Sequence, residues 1–553
     1  MSTPRTCRHS GKKFAISTTE MALLTQMKLP LSDLCPEERL RLAMSARNEW
    51  KLYRRKCDAT GSEILSAYPS ESPFVIYRSD VWWGDSWDAL SYGRPVNTDA
   101  PFFPQFLELQ KAVPREGTSV FRSENCDYNG HIRDSKNCYM NALASKCEDV
   151  HYSYWIENGK NVVDCMYTNF STLCYECRDC SLCYNATSLE ECSNCNDCHF
   201  SYQLIGCTQC LFCTNLANKT LHLFNKPCSK EEFEEAKSAI LNGSFHAWQE
   251  ASNTYAKQRA NAVHRAVHNL NCQEVTGDHF YNARECDFCF DGHDCEDCMD
   301  TISLSDSKNV GSSYSVGWPG CELVYLSSVV RDSQEIAFCR YVWFSNDLRY
   351  CDSCASCKHC FGCIGLRHKQ HCILNKQYTK EEYERLLPLV IATMEKSGEW
   401  GQFFPSTSAP FAYNETAAQD YFPLERANAI SMGFRWRDAV DESPAVKKTI
   451  PAGKLPDNLD ETPDDVLQWA IQCEATKRPF RIVKQELDFY RSMRLPLPRL
   501  HPKERHRLRL AQRNPYILWS RLCGKCGKPT STTYAPERPE TIYCEGCYLK
   551  EVY

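Results

Sequence analysis

Between Cys126 and Cys213 the chain places fourteen cysteines, and every one of their position numbers is a multiple of three. So strict a frame demands a backbone that presents every third residue to one environment. Rows of eighteen, residues 129–146, 147–164, 165–182, 183–200 and 201–218, align without a gap. One column reads Cys138, Ile156, Cys174, Cys192, Cys210, and the next reads Asn141, Gly159, Cys177, Cys195, Cys213. Two more read Ala144, Val162, Cys180, Cys198, Leu216 and Ile132, Val150, Thr168, Ala186, Leu204. Small or apolar residues hold the frame, while Asp, Asn, Glu, Lys and Tyr fill the rest. The pattern predicts a narrow β-solenoid of about 18 residues per coil, each third residue turned inward and stacked on the coil below.

Cysteine in such a column admits two readings. The run Cys174, Cys177, Cys180, Cys183 has the CxxCxxC start of bacterial ferredoxin runs. The same frame continues through Ile156, Val162, Ala186 and Leu189, which bind no metal. Interior packing accounts for every position, whereas a cluster, or metal held between coils, accounts for four. Cysteine is therefore read as a small residue that stacks, with a metal- or redox-active array as the alternative.

The chain of 553 residues is too long for one core and predicts roughly three or four units. No apolar run approaches the ~18 residues of a bilayer helix, and the basic, polar start from Met1 to Lys13 has no hydrophobic region behind it. The expectation is a cytoplasmic chain whose thiols stay reduced or metal-bound. Geometry would not forbid disulfides, because neighbouring coils lie about 4.8 Å apart, inside the Cα window for one.

Two duplications are nested in the sequence. With an offset of 466, Cys7, Phe14, Ile16, Met27, Leu29 and Pro30 recur as Cys473, Phe480, Ile482, Met493, Leu495 and Pro496. Arg39, Leu42, Arg47, Asn48, Cys57, Gly61 and Tyr68 recur as Arg505, Leu508, Arg513, Asn514, Cys523, Gly527 and Tyr534. With an offset of 150, Cys207, Cys210, Cys213, Asn225 and Lys226 recur as Cys357, Cys360, Cys363, Asn375 and Lys376. Each array then ends on a capping box, Ser229 with Glu232 and Thr379 with Glu382. A helix started there, carrying Phe233 or Tyr383 on its apolar face, would cover the open end of the array. The second array keeps one frame through Cys286, Cys289, Cys295 and Cys298 and another through Cys321, Cys339, Cys351 and Cys354, with a slip at Gly317-Trp318-Pro319-Gly320.

The predicted architecture is mainly β with helical caps: two tandem cysteine-rich β-solenoids flanked by two homologous zinc-ribbon-like modules. Its parts are an N-terminal module with degenerate metal sites at 1–95, a linker at 96–120, solenoid 1 at 121–228 and a helical cap at 229–270. Solenoid 2 follows at 271–378, then a helical cap and irregular segment at 379–441, a linker at 442–465 and a basic C-terminal module at 466–553.

The strongest local motif is Cys523-x-x-Cys526 followed by Cys544-x-x-Cys547, with Gly524, Gly527 and Gly546 permitting tight turns. Two such knuckles supply four thiolates in a tetrahedral shell, the signature of about one structural zinc with no open position for catalysis. The N-terminal copy holds Cys57, Thr60, Arg78 and Val81 at these places, and Trp82, Trp83 and Trp87 suggest an apolar cluster instead of a metal. Weaker metal candidates are Cys7 with Cys35 and Cys473 with His501, where Ser10, Glu38, Thr476 and Glu504 break the ligand set and His506 is a further possible donor. Asp278, His279, His293, Cys295 and Cys298 form another mixed group, whose bland reading is a polar coil edge.

Net charge is −6, yet from Cys473 to Lys528 fifteen Lys or Arg stand against four acids. An acidic body with a basic end fits a protein that touches nucleic acid at that end. Arg505, Arg507, Arg509, Arg513 and Arg521 are the phosphate-binding candidates, with Trp519 or Tyr516 for stacking. Helical spacing offers the opposing reading that Leu508, Tyr516 and Trp519 face a core. No phosphate loop, Ser–His–Asp set or catalytic carboxylate pair is present, so the chain is not read as an enzyme and no small-molecule substrate is identified.

The strings RNEWKLYRRKC, SKNCYMN, LNKQYTKEEYERL and YAPERPETIYCEGCYLKEVY resemble a family of large cysteine-rich zinc-ribbon proteins of ultrasmall bacteria. The likeness runs almost the whole length and implies zinc binding but no particular activity. It also implies that the pairs at Cys7/Ser10 and Cys35/Glu38 stand where relatives often carry CxxC. Some members carry a CoA-transferase label, which the repeat-built middle leaves no room for. The leading expectation is a non-enzymatic scaffold whose solenoid faces bind another macromolecule. The alternatives are an RNA- or DNA-binding factor and a metal or redox protein.

Overall fold

A computed structural model describes residues 3–438, 446 and 448–552. The chain is mainly β-strand and divides into two compact units, neither continuous in sequence. One combines Met1–Thr118, Val267–Arg437 and Ser531–Thr533; the other combines Ser119–Ala266, Asp438–Thr530 and Tyr534–Tyr553. Each end module therefore belongs with the array remote from it in sequence.

In the first array, short strands run from Ser119–Phe121 to Thr220–Leu223 and pair in parallel with the strand twelve residues on, and Lys226–Pro227 ends the sheet by pairing antiparallel with Thr220–Leu223. Val162 faces Cys174, Cys174 faces Ala186, and Leu204 faces Leu216. The expected eighteen-residue coil is thus corrected to a twelve-residue repeat. Both periods are multiples of three, so the cysteine frame alone does not say which of them applies. The backbone does. Asp134, Asn137, Met140 and Leu143 have φ of 51°, 53°, 52° and 63°, and every third residue continues in this left-handed region through Glu191. Four such corners per repeat turn the remaining residues to opposite sides. Non-glycine residues disfavour this region, so ladder hydrogen bonds and a continuous interior must offset the cost at each corner.

That interior is the predicted frame. Ile132, Cys138, Ala144, Val150, Cys174, Cys177 and Ala186 are all buried in one cluster. Each buried thiol does more than fill space. Cys177 Sγ donates to the carbonyls of Tyr175 at 3.5 Å and Ala186 at 3.7 Å, the second lying nine residues ahead. Cys195 does the same to Ser193 and Leu204, both at 3.4 Å. Thr168 makes the equivalent pair of bonds, to Met166 and Cys177. The interior accepts apolar side chains without a donor as well, and where a cysteine or threonine stands its donor meets these carbonyls.

The second array repeats this design from Gln273–Tyr281 to Gln370–Ile373, with Val342 facing Cys354 and Cys360 facing Cys372. Its frame shift is real: Ser307 faces Cys321, two residues more than elsewhere. Gly317 makes the slip possible, because at φ 121° a Cβ would lie 2.0 Å from the Ser305 carbonyl oxygen. Both arrays close alike. Asn225 Oδ1 accepts the Thr214 N–H at 2.8 Å, and Asn375 Oδ1 accepts the Ile364 N–H at 2.7 Å. The two capping boxes then start Lys230–Ile240 and Lys380–Ser397, which bury Phe233 and Tyr383.

The offset of 466 holds element by element. Strand Thr3–Thr6, helix Thr18–Gln26, helix Pro36–Met44 and hairpin Tyr53–Lys56/Glu63–Ser66 correspond to Trp469–Gln472, Lys484–Met493, Pro502–Gln512 and Trp519–Leu522/Pro529–Thr532. The region expected as a linker at 96–120 contains helix Phe102–Ala112 and strand Arg115–Glu116, which pairs with Ile76–Tyr77. Of the linker expected at 442–465, residues 442–445 and 447 lie outside the described residues, and strand Lys448–Pro451 pairs with Trp469–Gln472. No helix among the described residues is long and apolar enough to cross a membrane.

Candidate metal centre

The hairpin Trp519–Leu522/Pro529–Thr532 carries Cys523 and Cys526 on its turn, and the following strand Thr541–Tyr543 delivers Cys544 to the start of helix Glu545–Val552. The turn is tied by Cys523 N–H to Lys528 O at 2.9 Å and Gly527 N–H to Cys523 O at 2.9 Å. Gly527 sits at φ 70°, which suits glycine at this corner. Gly524 N–H reaches Ile542 O at 2.8 Å and joins the two knuckles.

These bonds bring the sulfurs of Cys523, Cys526, Cys544 and Cys547 within 4.8 Å of one another. Cys526 and Cys544 are 3.8 Å apart, which is about the edge of a tetrahedron with 2.3 Å zinc–sulfur bonds. Burial opposes ionisation of Cys523, but the N–H groups of Cys526, Cys544 and Lys525 outweigh it and hold the thiol down to about 6. One such bond, Cys544 N–H to Cys523 Sγ, measures 3.3 Å. The set can hold a metal ion and its donor chemistry is compatible with zinc. All four ligand places are protein thiols, so such an ion would be structural.

The N-terminal copy keeps the backbone of this corner without its ligands. Cys57 N–H bonds Ser62 O, Gly61 N–H bonds Cys57 O, and Asp58 N–H bonds Ile76 O, each the counterpart of a bond above. Arg78 N–H reaches Cys57 Sγ at 3.3 Å, as Cys544 N–H reaches Cys523. An aromatic cluster follows this corner: Trp82 lies 4.8 Å from Trp83 and 5.9 Å from Trp87 between ring centres, and Arg367 caps Trp82 and Trp87.

The weaker metal candidates are placed differently. Cys35 meets the Ser10 hydroxyl at 3.7 Å near Cys7. Burial resists ionisation of Cys7, but N–H groups and Ser10 hold it down to about 7, whereas burial pushes Cys35 up. His501 Nδ1 accepts the Lys503 N–H at 3.1 Å as the cap of helix Pro502–Gln512. Neither pair, with Cys473 in the second, gathers a third donor within 4.8 Å among the described residues. His506 is sequestered, and burial pushes it down to about 3. The mixed group is separated: Cys295 and Cys298 join the array core, His293 pairs with Asp294 at 2.9 Å, and Asp278 holds His268 and His279 at 3.2 and 3.5 Å.

All thirty-six cysteines are unbridged. Burial pushes the array thiols Cys147 and Cys321 up to about 11, so they stay protonated at neutral pH.

Most of the candidate phosphate-binding arginines are engaged inside the protein. Arg505 is buried against Asp164 and Glu486, and Arg509 meets the other Asp164 oxygen at 2.9 Å. Arg513 pairs with Asp179 at 3.2 Å and covers the Tyr167 ring at 4.2 Å. Arg521 donates to the carbonyls of Ala535 and Glu540, and exposed Arg507 pairs with Glu504 at 2.7 Å. Tyr516 is buried and Trp519 half-buried, as a core reading expects, but Leu508 is exposed. The acidic partners were hidden from sequence reasoning because Asp164 lies 341 residues from Arg505. The duplication holds the available clue: Arg39 and Glu20, at the equivalent places, form a 2.6 Å pair that also includes Asp300 and Tyr325. The chain matches no known family profile and no curated protein.

Proposed function

We propose that this chain is a non-enzymatic scaffold: a zinc-stapled tandem β-solenoid with twelve-residue coils, whose exposed side binds another macromolecule. The observation that carries the reading is the structural use of the cysteines. Array thiols spend their single donor on backbone carbonyls, while four thiols outside the arrays converge as a closed ligand set. Parallel pairing at twelve residues and four left-handed corners per repeat support the solenoid. Pairing of Arg505, Arg509 and Arg513 with buried carboxylates favours the scaffold over a nucleic-acid factor. One side of the first array remains open, with Phe170, Leu182 and Tyr184 each more than half exposed.

Elemental analysis of protein purified without oxygen tests this. About one zinc per chain, lost on Cys526→Ser and unchanged by Cys177→Ser, is the expected result. Several zinc or iron atoms per chain would overturn the packing account of the arrays.

A further inference from the structure

The unit that contains the second array holds a buried charge imbalance that neither the metal centre nor the array packing uses. Arg115 and Arg340 are 3% and 1% exposed, and both contact the same oxygen of Asp352, at 2.5 and 2.7 Å. Asp352 is fully buried, and its other oxygen accepts the Ser353 hydroxyl at 2.9 Å. The Phe74 ring lies 4.9 Å from the Arg115 guanidinium and the Phe404 ring 4.4 Å from that of Arg340. Arg340 Nη1 reaches Ser408 O at 3.4 Å, but Arg340 Nη2 and Arg115 Nε are buried with no hydrogen-bond partner among the described residues.

Guanidinium groups do not deprotonate in proteins, so two positive charges meet one carboxylate in a dry core. Burial raises the nearby Tyr68 phenol, which stays neutral and supplies no second negative charge. A third cation, Arg435, lies 6.0 Å from the same Phe74 ring but has the buried Glu415 carboxylate to offset it, so the imbalance rests on Arg115 and Arg340 alone. The other unit shows the balanced arrangement: Arg505 and Arg509 share Asp164, and Arg505 also reaches Glu486. An uncompensated buried charge is heavily penalised.

We propose that this core binds one monatomic anion of the chloride type, held by the unpartnered N–H groups of Arg340 and Arg115. A single atom needs the least room in a buried core, accepts donors from any direction, and supplies the missing charge. Bromide is the probe. Crystals of the full chain in sodium bromide should show an anomalous peak within hydrogen-bond distance of Arg340 Nη2; a water or no density there overturns the proposal. In solution, Tm should rise with the logarithm of chloride concentration relative to gluconate at equal ionic strength, and Arg340→Met should lose that shift. Equal responses in the two salts, or the same chloride shift in Arg340→Met, would count against the site. If the variant does not fold, the bromide density decides alone.

Discussion

Removing the metal from the Cys523 corner is expected to open that corner while its N-terminal copy stays closed. The perturbation is chelation, or Cys544→Ser, on the full chain. The corner's own apolar support is a small cluster of Ala266, Tyr534 and Ile542. Burying side chains of the two larger sizes contributes about 1.5–3 kcal/mol each, on the order of 3–6 kcal/mol together. A structural zinc on thiolate knuckles contributes roughly 10–16 kcal/mol at neutral pH, so the metal outweighs the packing. The N-terminal corner has Cys57, Thr60, Arg78 and Val81 at the ligand places and is expected to rest on packing, with Trp82 fully buried and its indole N–H donated to Pro114 O at 3.0 Å. Hydrogen exchange read by mass spectrometry separates the two corners. Amides of residues 519–552 should lose protection by roughly two orders of magnitude or more, a fall of about 3 kcal/mol in opening free energy, while residues 53–83 should not change. Protection retained in both corners after complete metal removal would refute the staple; loss in both would refute the tryptophan substitute.

Cys177→Ser should cost less than about 1.5 kcal/mol in urea unfolding, because the hydroxyl can donate to the same carbonyls at Tyr175 and Ala186; a cost above about 4 kcal/mol with metal loss would restore the ligand reading. Phe233→Ala empties a fully buried site under the cap helix and should cost about 3–5 kcal/mol, with a cost below about 1 kcal/mol showing that the helix does not seal the array. Burial opposes the charge on Glu190, but Arg178 and Arg259 hold its carboxyl down to about 2 from 4.5. Its contribution, about 3 kcal/mol, is therefore full above pH ~4.5 and lost as pH falls from ~4.5 towards ~2. Glu190→Gln should be less stable at pH 6 and should flatten the acid limb of stability against pH; an unchanged slope would show that other carboxylates set it.

The three-residue frame was legible because its exceptions, Ile156, Val162 and Ala186, share the interior with cysteine. The twelve-residue repeat was legible too, but in another column. Asn125, Asn137, Asp149, Asn161, Asn185 and Asp197 are spaced by multiples of twelve and sit at φ between 50° and 55°. Asn and Asp tolerate that corner better than most residues. Asn125 donates to Asn137 at 3.0 Å and Asn137 to Asp149 at 3.2 Å, a ladder with the same twelve-residue period as the strand pairing. Gapless duplication made both the module copies and the caps readable before any coordinates. What sequence could not reveal was charge pairing: Arg505 and Arg513 look like phosphate ligands until Asp164 and Asp179 are found beneath them.

The assignment of each end module to the distant array has a consequence for how the chain is made. Residues 119–266 leave the ribosome with Asp164 and Asp179 already in place, yet Arg505, Arg509 and Arg513 are still about 240 or more residues away. The first array waits through synthesis of the whole second array for the cations that neutralise it, whereas the N-terminal module, made first, finds its array midway. Completion is nested, first made and last finished, and long loops of this kind slow folding. A nascent chain stalled before residue 500 would present a finished strand array with Asp164 and Asp179 still without Arg505, Arg509 and Arg513, a state in need of a chaperone.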